Sequence, residues 1–329
     1  MRRRLNWLGE RTMNTRHLLA AGIALGCAAL AQPAFATEGA LGRTITGTNV
    51  QSFAGVVPPT PGFNAAIGYV HYSGEISASR EVPLNNQLTL GMDATFDMLS
   101  VTGLYVWDTG EGRWNFASMA TLPFAEVDVT ANVSIGSRTG RVNDKADWDI
   151  FDPFFAPIIA GYHFDQTRHM TLALYVYTDW GDYDPDRLAN LSLNNWTYSP
   201  TIGYTQLMQK GTLEFTTVGA VDIYTKNDAT DYQNGAVFRL DAQLVKRFAN
   251  GWGVGGIGGW IQQIEDDEGP TADRLNGFKG RAFALGPTVN YTNKWDGGQV
   301  EFAARWLTEF DVKRRIKGDP LMVTATIAF

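Results

Sequence analysis

The stretch Ala236-Val237-Phe238-Arg239-Leu240-Asp241-Ala242-Gln243-Leu244-Val245-Lys246-Arg247-Phe248 decides the fold. Ala236, Phe238, Leu240, Ala242, Leu244 and Phe248 share one face, interrupted only by Lys246. Val237, Arg239, Asp241, Gln243, Val245 and Arg247 share the other. A period of two belongs to a strand, whose successive side chains point to opposite sides, whereas an amphipathic helix repeats near 3.6. Leu213 to Ile223 repeats the pattern, setting Leu213, Phe215, Val221 and Ile223 against Thr212, Glu214, Thr216 and Asp222. Leu88 to Met98 sets Leu88, Leu90, Met92, Ala94, Phe96 and Met98 against Thr89, Asp93, Thr95 and Asp97.

Working outward gives twelve such segments, at roughly 63–73, 88–106, 114–126, 155–164, 168–178, 196–207, 211–224, 236–248, 251–264, 281–291, 299–309 and 320–329. Their connectors alternate between long (74–87, 127–154, 179–195, 225–235, 265–280, 310–319) and short (107–113, 165–167, 208–210, 249–250, 292–298). That parity, on an even strand count, is expected of an antiparallel up-and-down transmembrane β-barrel with short periplasmic turns and longer outer loops. Trp107, Trp114, Trp196, Trp252, Trp295, Trp306, Tyr198 and Tyr291 fall near strand ends, where interfacial girdles sit. The last segment ends on Phe329, with Leu321, Val323, Ala325 and Ile327 on the same face. The alternative all-β reading, a soluble sandwich, accounts for none of these additional signs.

The front of the chain reads as an export signal. Residues 1–17 are basic and polar, Leu18 to Ala31 is apolar, and Ala34-Phe35-Ala36 supplies small residues at both positions a signal peptidase reads. Residues 1–36 are therefore expected to be removed, with either Met1 or Met13 as the start. The one cysteine, Cys27, lies inside this signal, so the mature chain is expected to fold without disulfides. No apolar run reaches the ~20 residues that a membrane-crossing helix needs. The 44% apolar residues, rich in aromatics, exclude intrinsic disorder. The net charge of −7, despite five Arg within residues 1–36, argues against nucleic acid as a partner.

Several stretches also resemble a known family. They are Phe53-Ala54-Gly55-Val56-Val57-Pro58-Pro59; Gly181-Asp182-Tyr183-Asp184-Pro185-Asp186-Arg187-Leu188-Ala189-Asn190-Leu191 running on to Asn194-Asn195-Trp196; Asn227-Asp228-Ala229-Thr230-Asp231-Tyr232; Gln262-Gln263 before Asp266-Asp267; and Leu285-Gly286-Pro287. The chain is similar, over essentially all of residues 37–329, to the outer-membrane "meta-pathway of phenol degradation" family of transporters. It departs from that pattern at Thr178-Asp179-Trp180, where the family usually has Pro-Thr. The resemblance implies an outer-membrane barrel associated with the breakdown of aromatic compounds, with transport itself an inference.

Three site readings compete with plain structure. Gly251-Trp252-Gly253-Val254-Gly255-Gly256 satisfies G-x-G-x-x-G, but Ile257 to Gln263 continues as a strand rather than the helix a dinucleotide site needs, so the glycines relieve crowding in a barrel wall. Asp182, Asp184 and Asp186 crowd one outer loop with Asp179, but an EF-type loop wants Gly and Glu where Arg187 and Leu193 stand; a solvated acidic rim is expected, with no metal. His71, His163 and His169 lack a G-x-S-x-G elbow, and no enzyme is expected.

The residues expected to act are those facing the lumen: Asp93, Asp97, Glu214, Asp222, Arg239, Asp241, Arg247, Glu301 and Arg305. Charge costs little in a water-filled pore and tunes its selectivity. Opposed residues in an antiparallel hairpin have a constant residue-number sum, and Glu214 with Arg247 shares its sum with Asp222 and Arg239; one register would oppose both pairs. The sequence thus predicts a monomeric, twelve-stranded barrel over 63–329 in the outer membrane of a Gram-negative bacterium, preceded by a Gly-, Pro- and Thr-rich segment, 37–62, as a candidate plug. Its expected work is diffusive uptake of small, aromatic or hydrophobic molecules, without a cofactor. Outer-membrane lipid, small solutes and, during biogenesis, the barrel assembly machinery are the expected partners. The competing reading is a structural or surface-interaction barrel with a plugged lumen.

Overall fold

The computed structural model describes residues 42–84, 87–110, 112–135, 138–274 and 279–328. The expected export signal, with Met13 and Cys27, and the terminal Phe329 lie outside them. Fifteen strands are formed in order: β1 (Gly62–Leu84), β2 (Gln87–Val106), β3 (Trp114–Ile135), β4 (Arg138–Ile150), β5 (Phe154–His163), β6 (Arg168–Tyr177), β7 (Thr197–Met208), β8 (Leu213–Tyr224), β9 (Val237–Arg247), β10 (Trp252–Gln263), β11 (Arg281–Trp295), β12 (Gly298–Trp306), β13 (Thr308–Lys313), β14 (Lys317–Gly318) and β15 (Leu321–Ala328). Among the described residues one short helix, α1 (Pro270–Arg274), sits between β10 and β11.

These strands close into a twelve-staved antiparallel barrel. β4 and β5 pair successively along β3, β12 and β13 along β11, and β14 and β15 along β1, so each pair is one interrupted stave. Pairing of β10 with β11 and of β1 with β15 leaves no open edge, which is what a membrane requires of β-structure because every backbone group must be satisfied within the protein. Outward side chains are apolar and exposed all round, among them Ile67, Val101, Leu172, Ile202, Leu244, Leu285, Phe302 and Val323. A soluble protein does not expose an apolar band of this extent. Exposed aromatics edge the band. Tyr105, Trp114, Phe164, Trp252 and Trp295 lie toward the short turns, and Trp148, Trp180 and Tyr198 toward the long loops.

Two connectors expected as loops are strand instead. β1 and β2 pair up to Leu84 and Gln87, and β3 and β4 up to Ile135 and Arg138. Beyond the apolar band water lies outside the wall, so the outer face needs no apolar residues and the alternation that identifies a strand disappears.

Residues 42–61 run through the lumen. Gly47 and Asn49 donate backbone N–H groups to Asp241 of β9 (2.9 and 3.1 Å), and Phe53 donates to Glu214 of β8 (2.8 Å). Gly55 donates to Thr205 of β7 (3.0 Å), and the Ala54 carbonyl accepts from Thr171 of β6 (3.0 Å). The Val57 and Pro58 carbonyls accept from Asn115 of β3 (3.0 and 2.7 Å). A strand-free segment can touch so many inward faces only from inside. At Gly55 the approach to β7 is closest, since a Cβ there would lie 2.3 Å from the Thr205 nitrogen.

Candidate functional site

Alternation along β8 and β9 turns Glu214 and Asp222, and Arg239, Asp241 and Arg247, inward, and β12 turns in Glu301 and Arg305. All but Arg247 and Glu301 are at least 95% buried. The expected pairs form, but the register differs from the expected one by two residues. β8 and β9 oppose Glu214 with Val245 and Asp222 with Val237, while Arg239 stands opposite Ala220. Arg247 reaches diagonally to Glu214 (2.6 Å) and on to Glu301 (3.0 Å), and Arg239 reaches diagonally to Asp222 (3.0 Å). A shift by two preserves the faces, and a guanidinium on its long stem spans the diagonal distance.

These charges hold the lumen segment. Besides the Asp241 and Glu214 contacts, Arg305 donates to the Gly47 (3.3 Å) and Val50 carbonyls, and Arg315 to the Thr44 carbonyl (3.0 Å). Glu309 accepts from Thr46 (2.8 Å) and Tyr72 (2.9 Å). The Arg247 guanidinium lies over the Phe53 ring, 4.4 Å from its centroid. Phe53 has φ of 57°, a left-handed backbone rare for a non-glycine residue and maintained only by surroundings that fix it.

Asp93 and Asp97 are not lumen residues. Asp97 points outward, accepting from the Tyr69 hydroxyl (2.6 Å) and paired with His71 (2.7 Å), and Asp93 is paired with Arg141 on the outer surface (3.0 Å). The inward face of β2 is instead Met92, Ala94, Phe96 and Met98, continuing to Ser100, Thr102 and Leu104. Nearer the short turns the outward residues of β2 are Leu99, Val101 and Tyr105. The outer face thus changes from apolar to acidic where the wall leaves the lipid band, which reverses the assignment made from polarity alone.

Opposite the charged wall lies an apolar one. Between it and the lumen segment is a cavity of about 560 Å³, running from Leu104 and Met119 near the short turns to Phe96 and Val129 near the long loops. Its walls come mainly from β1, β2, β3, β5, β6, β7 and β15, where Val70, Met98, Val127, Phe151 and Met322 supply apolar surface; Arg239 of β9, Arg305 of β12 and Leu188 and Leu193 of the loop 179–195 also line it.

The long loops are tied down by aspartates that strand periodicity gave no reason to single out. Asp152, in the break between β4 and β5, accepts from the Gly181 and Leu193 backbone (2.9 and 3.0 Å) and the Ser192 hydroxyl (2.7 Å), and pairs with Arg43. Asp144 of β4 accepts from the Leu188 and Ala189 backbone (2.9 and 3.0 Å) and pairs with Arg187 (2.8 Å). Partial burial opposes ionisation of Asp144, but Arg187 and the two N–H groups outweigh it and hold the carboxyl below its ordinary range. Asp267 accepts from Tyr232 (2.5 Å) and the Gly235 backbone (2.7 Å). Of the outer-loop acids, Asp184 accepts from the Asp186 backbone (2.9 Å), and the Asp182 carbonyl accepts from Leu191 (3.1 Å). Both stitch the loop 179–195 to itself.

At the short-turn end, His163 and His169 meet through their Nδ1 atoms (2.6 Å), and His163 Nε2 contacts Asn115 Oδ1 (2.8 Å). Because Asn115 uses its amide hydrogens on Val57 and Pro58, its oxygen accepts, and His163 donates from Nε2. The histidines thus anchor the exit of the lumen segment. The G-x-G-x-x-G run lies at the turn into β10 and along that wall strand.

The sequence profile of the family described as "Putative MetA-pathway of phenol degradation" matches residues 61–325. No curated protein matches the chain. Among solved structures, the COG4313 outer membrane channel from Pseudomonas putida F1 aligns with TM-score 0.65 at 14% identity, over 85% of this chain and 100% of that one. A FadL homologue from Pseudomonas aeruginosa (TM-score 0.44, 10% identity, 90% of this chain and 97% of that one) and the CymD monoaromatic hydrocarbon channel (0.43, 7%, 90% and 97%) align more loosely. The closed barrel, its apolar outer band and the fold shared with the first of these place the protein in the outer membrane of a Gram-negative bacterium.

Proposed function

The chain belongs to the family described as "Putative MetA-pathway of phenol degradation", and on that premise we propose that it is a channel for diffusive uptake of small hydrophobic, including aromatic, molecules. The carrying observation is the apolar cavity alongside the lumen segment, whose roughly 560 Å³ suits one small ligand. An apolar solute gains from leaving water for such a wall, and weak, distributed contacts let it leave again. No chemical step is assigned to any side chain. The charged wall acts by positioning residues 42–61, which narrow the lumen and leave the apolar side as the remaining path. Assembly as a monomer by the barrel assembly machinery belongs to the same reading.

A second reading is favoured by one observation, the tight anchoring of the lumen segment. In it the barrel is closed and its long loops bind partners. Planar-bilayer conductance with and without solute, together with uptake of naphthalene into proteoliposomes, separates the two. The channel reading expects uptake above that of protein-free vesicles, and a barrel that passes neither ions nor naphthalene overturns it.

A further inference from the structure

Tyr175 of β6 projects into the cavity at the seam between the charged and apolar walls. Its strand partner on β7 is Ser199. Ser199 accepts from Arg239 Nη2 (2.8 Å) and donates to Asp222 (2.6 Å), which is itself bound by Arg239 Nε (3.0 Å). Tyr177 lines the same end of the cavity beside Arg239. The Tyr175 hydroxyl has no hydrogen-bond partner among the described residues, and it opens on the cavity.

The guanidiniums nearby are already neutralised. Arg239 is paired with Asp222, and Arg43, whose guanidinium lies 5.8 Å from the Tyr177 ring centroid, is paired with Asp152. A carboxylate brought here would be desolvated against cations that already have partners, which is unfavourable. A hydrocarbon would strip water from the Tyr175 hydroxyl and return nothing for it. A molecule with an apolar body and one uncharged oxygen satisfies both walls. Its body lies against Met98, Val127 and Phe151, and its oxygen accepts from or donates to Tyr175.

We infer that Tyr175 determines the specificity of the cavity, selecting apolar solutes that carry one uncharged hydroxyl or carbonyl oxygen over hydrocarbons and carboxylates. This rests on the channel reading above. The test is equilibrium dialysis of the purified full chain in detergent against naphthalene, 1-naphthol and 1-naphthoate, each measured relative to its partition into protein-free micelles. Wild type is expected to enrich 1-naphthol about fivefold over naphthalene, the worth of one neutral hydrogen bond, and to enrich 1-naphthoate least. Tyr175→Phe is expected to bring the naphthol-to-naphthalene ratio to about one, with naphthalene enrichment rising because no hydroxyl is left to desolvate. A variant that keeps the wild-type ratio, a wild type without preference, or one that favours 1-naphthoate overturns the assignment of Tyr175. A wild type that enriches none of the three overturns the channel reading as well.

Discussion

The two halves of the lumen wall are built from the same alternating strands and do opposite work. From β8 to β13 the inward positions carry Glu214, Asp222, Arg239, Asp241, Arg247, Glu301, Arg305 and Glu309, each paired or hydrogen-bonded to the wall or to residues 42–61. From β1 to β3 the inward positions beside the cavity are Val70, Tyr72, Met92, Phe96, Met98, Val127 and Val129, and the polar bridge from these strands to the segment is Asn115, at the segment's exit near the short turns. Hydrogen bonds to charged groups fix geometry, whereas apolar contact is non-directional. Apart from its exit at Asn115, the segment is therefore held from β6 round to β13, and the free volume collects against β1 to β3. A charged wall here serves as an anchor, and on the channel reading the transport surface is the part of the wall with no charge on it.

If that division of labour is right, truncation should have very different effects on the two sides. Asp222→Ala leaves the buried Arg239 guanidinium without its carboxylate, and removing one partner of a buried pair costs about 3–5 kcal/mol. Met92→Ala faces existing free volume and should cost at most about 2 kcal/mol, the lower end for such truncations. Urea unfolding from lipid vesicles, followed by tryptophan fluorescence, measures both. The double variant Asp222→Leu/Arg239→Met should recover most of the loss, because apolar residues of similar volume replace a buried pair at little cost. Equal losses for Asp222→Ala and Met92→Ala would remove the distinction between the walls.

Anchoring also predicts how the pore can be opened. At Gly55 any side chain would collide with the β7 backbone, its Cβ 2.3 Å from Thr205 N. Gly55→Val should push residues 53–57 away from β7 and raise single-channel conductance severalfold with the barrel intact. Gly140→Val, where a Cβ meets nothing within 4 Å, is the control and should conduct as wild type. Asn115→Ala removes both amide contacts to Val57 and Pro58 and should give a smaller increase, seen as more frequent brief openings. Unchanged conductance in Gly55→Val would mean that the segment does not set the width of the pore.

The sequence made the barrel readable because outside the wall there is lipid over about ten residues of each strand, and lipid enforces strict alternation. Arg239, Asp241 and Glu214 could be placed inward on that ground alone. The same logic misplaced Asp93 and Asp97, since polarity marks the lumen only at bilayer height and both residues lie above it, against Arg141 and His71. The register of β8 against β9 was missed by two residues because charge pairing does not distinguish direct from diagonal neighbours when one partner is Arg. Asp144, Asp152 and Asp267 gave no local signal. Their main partners are loop backbone N–H groups about 30 to 45 residues along the chain, a relation that no period encodes. The sequence did mark residues 37–62 as Gly-, Pro- and Thr-rich, but which wall would receive them depends on the barrel being closed.

The smallest expected effect concerns the loops, whose attachment should depend on pH independently of both walls. Asp144 holds the loop 179–195 through Leu188, Ala189 and Arg187, and its pKa is lowered in the folded protein. A lowered pKa means that the ionised form is the one favoured by folding. Its contribution is complete above the unfolded-state value, near 4, and is lost as pH falls through the folded value. Limited proteolysis of intact cells with pepsin, compared at pH 4.5 and pH 2.5, should therefore cut within 179–195 faster at the lower pH. Asp144→Asn, which cannot ionise, should be cut at a rate that changes less between the two conditions. Pepsin's own rate across that interval is calibrated on a peptide of the same loop sequence. Leu188, Asn190 and Leu193 of this loop line the long-loop end of the cavity, so its release should also widen that mouth, and conductance should rise in step with cleavage. Conductance that stays constant while the loop is cut would leave residues 42–61 alone as the element that sets the width of the path.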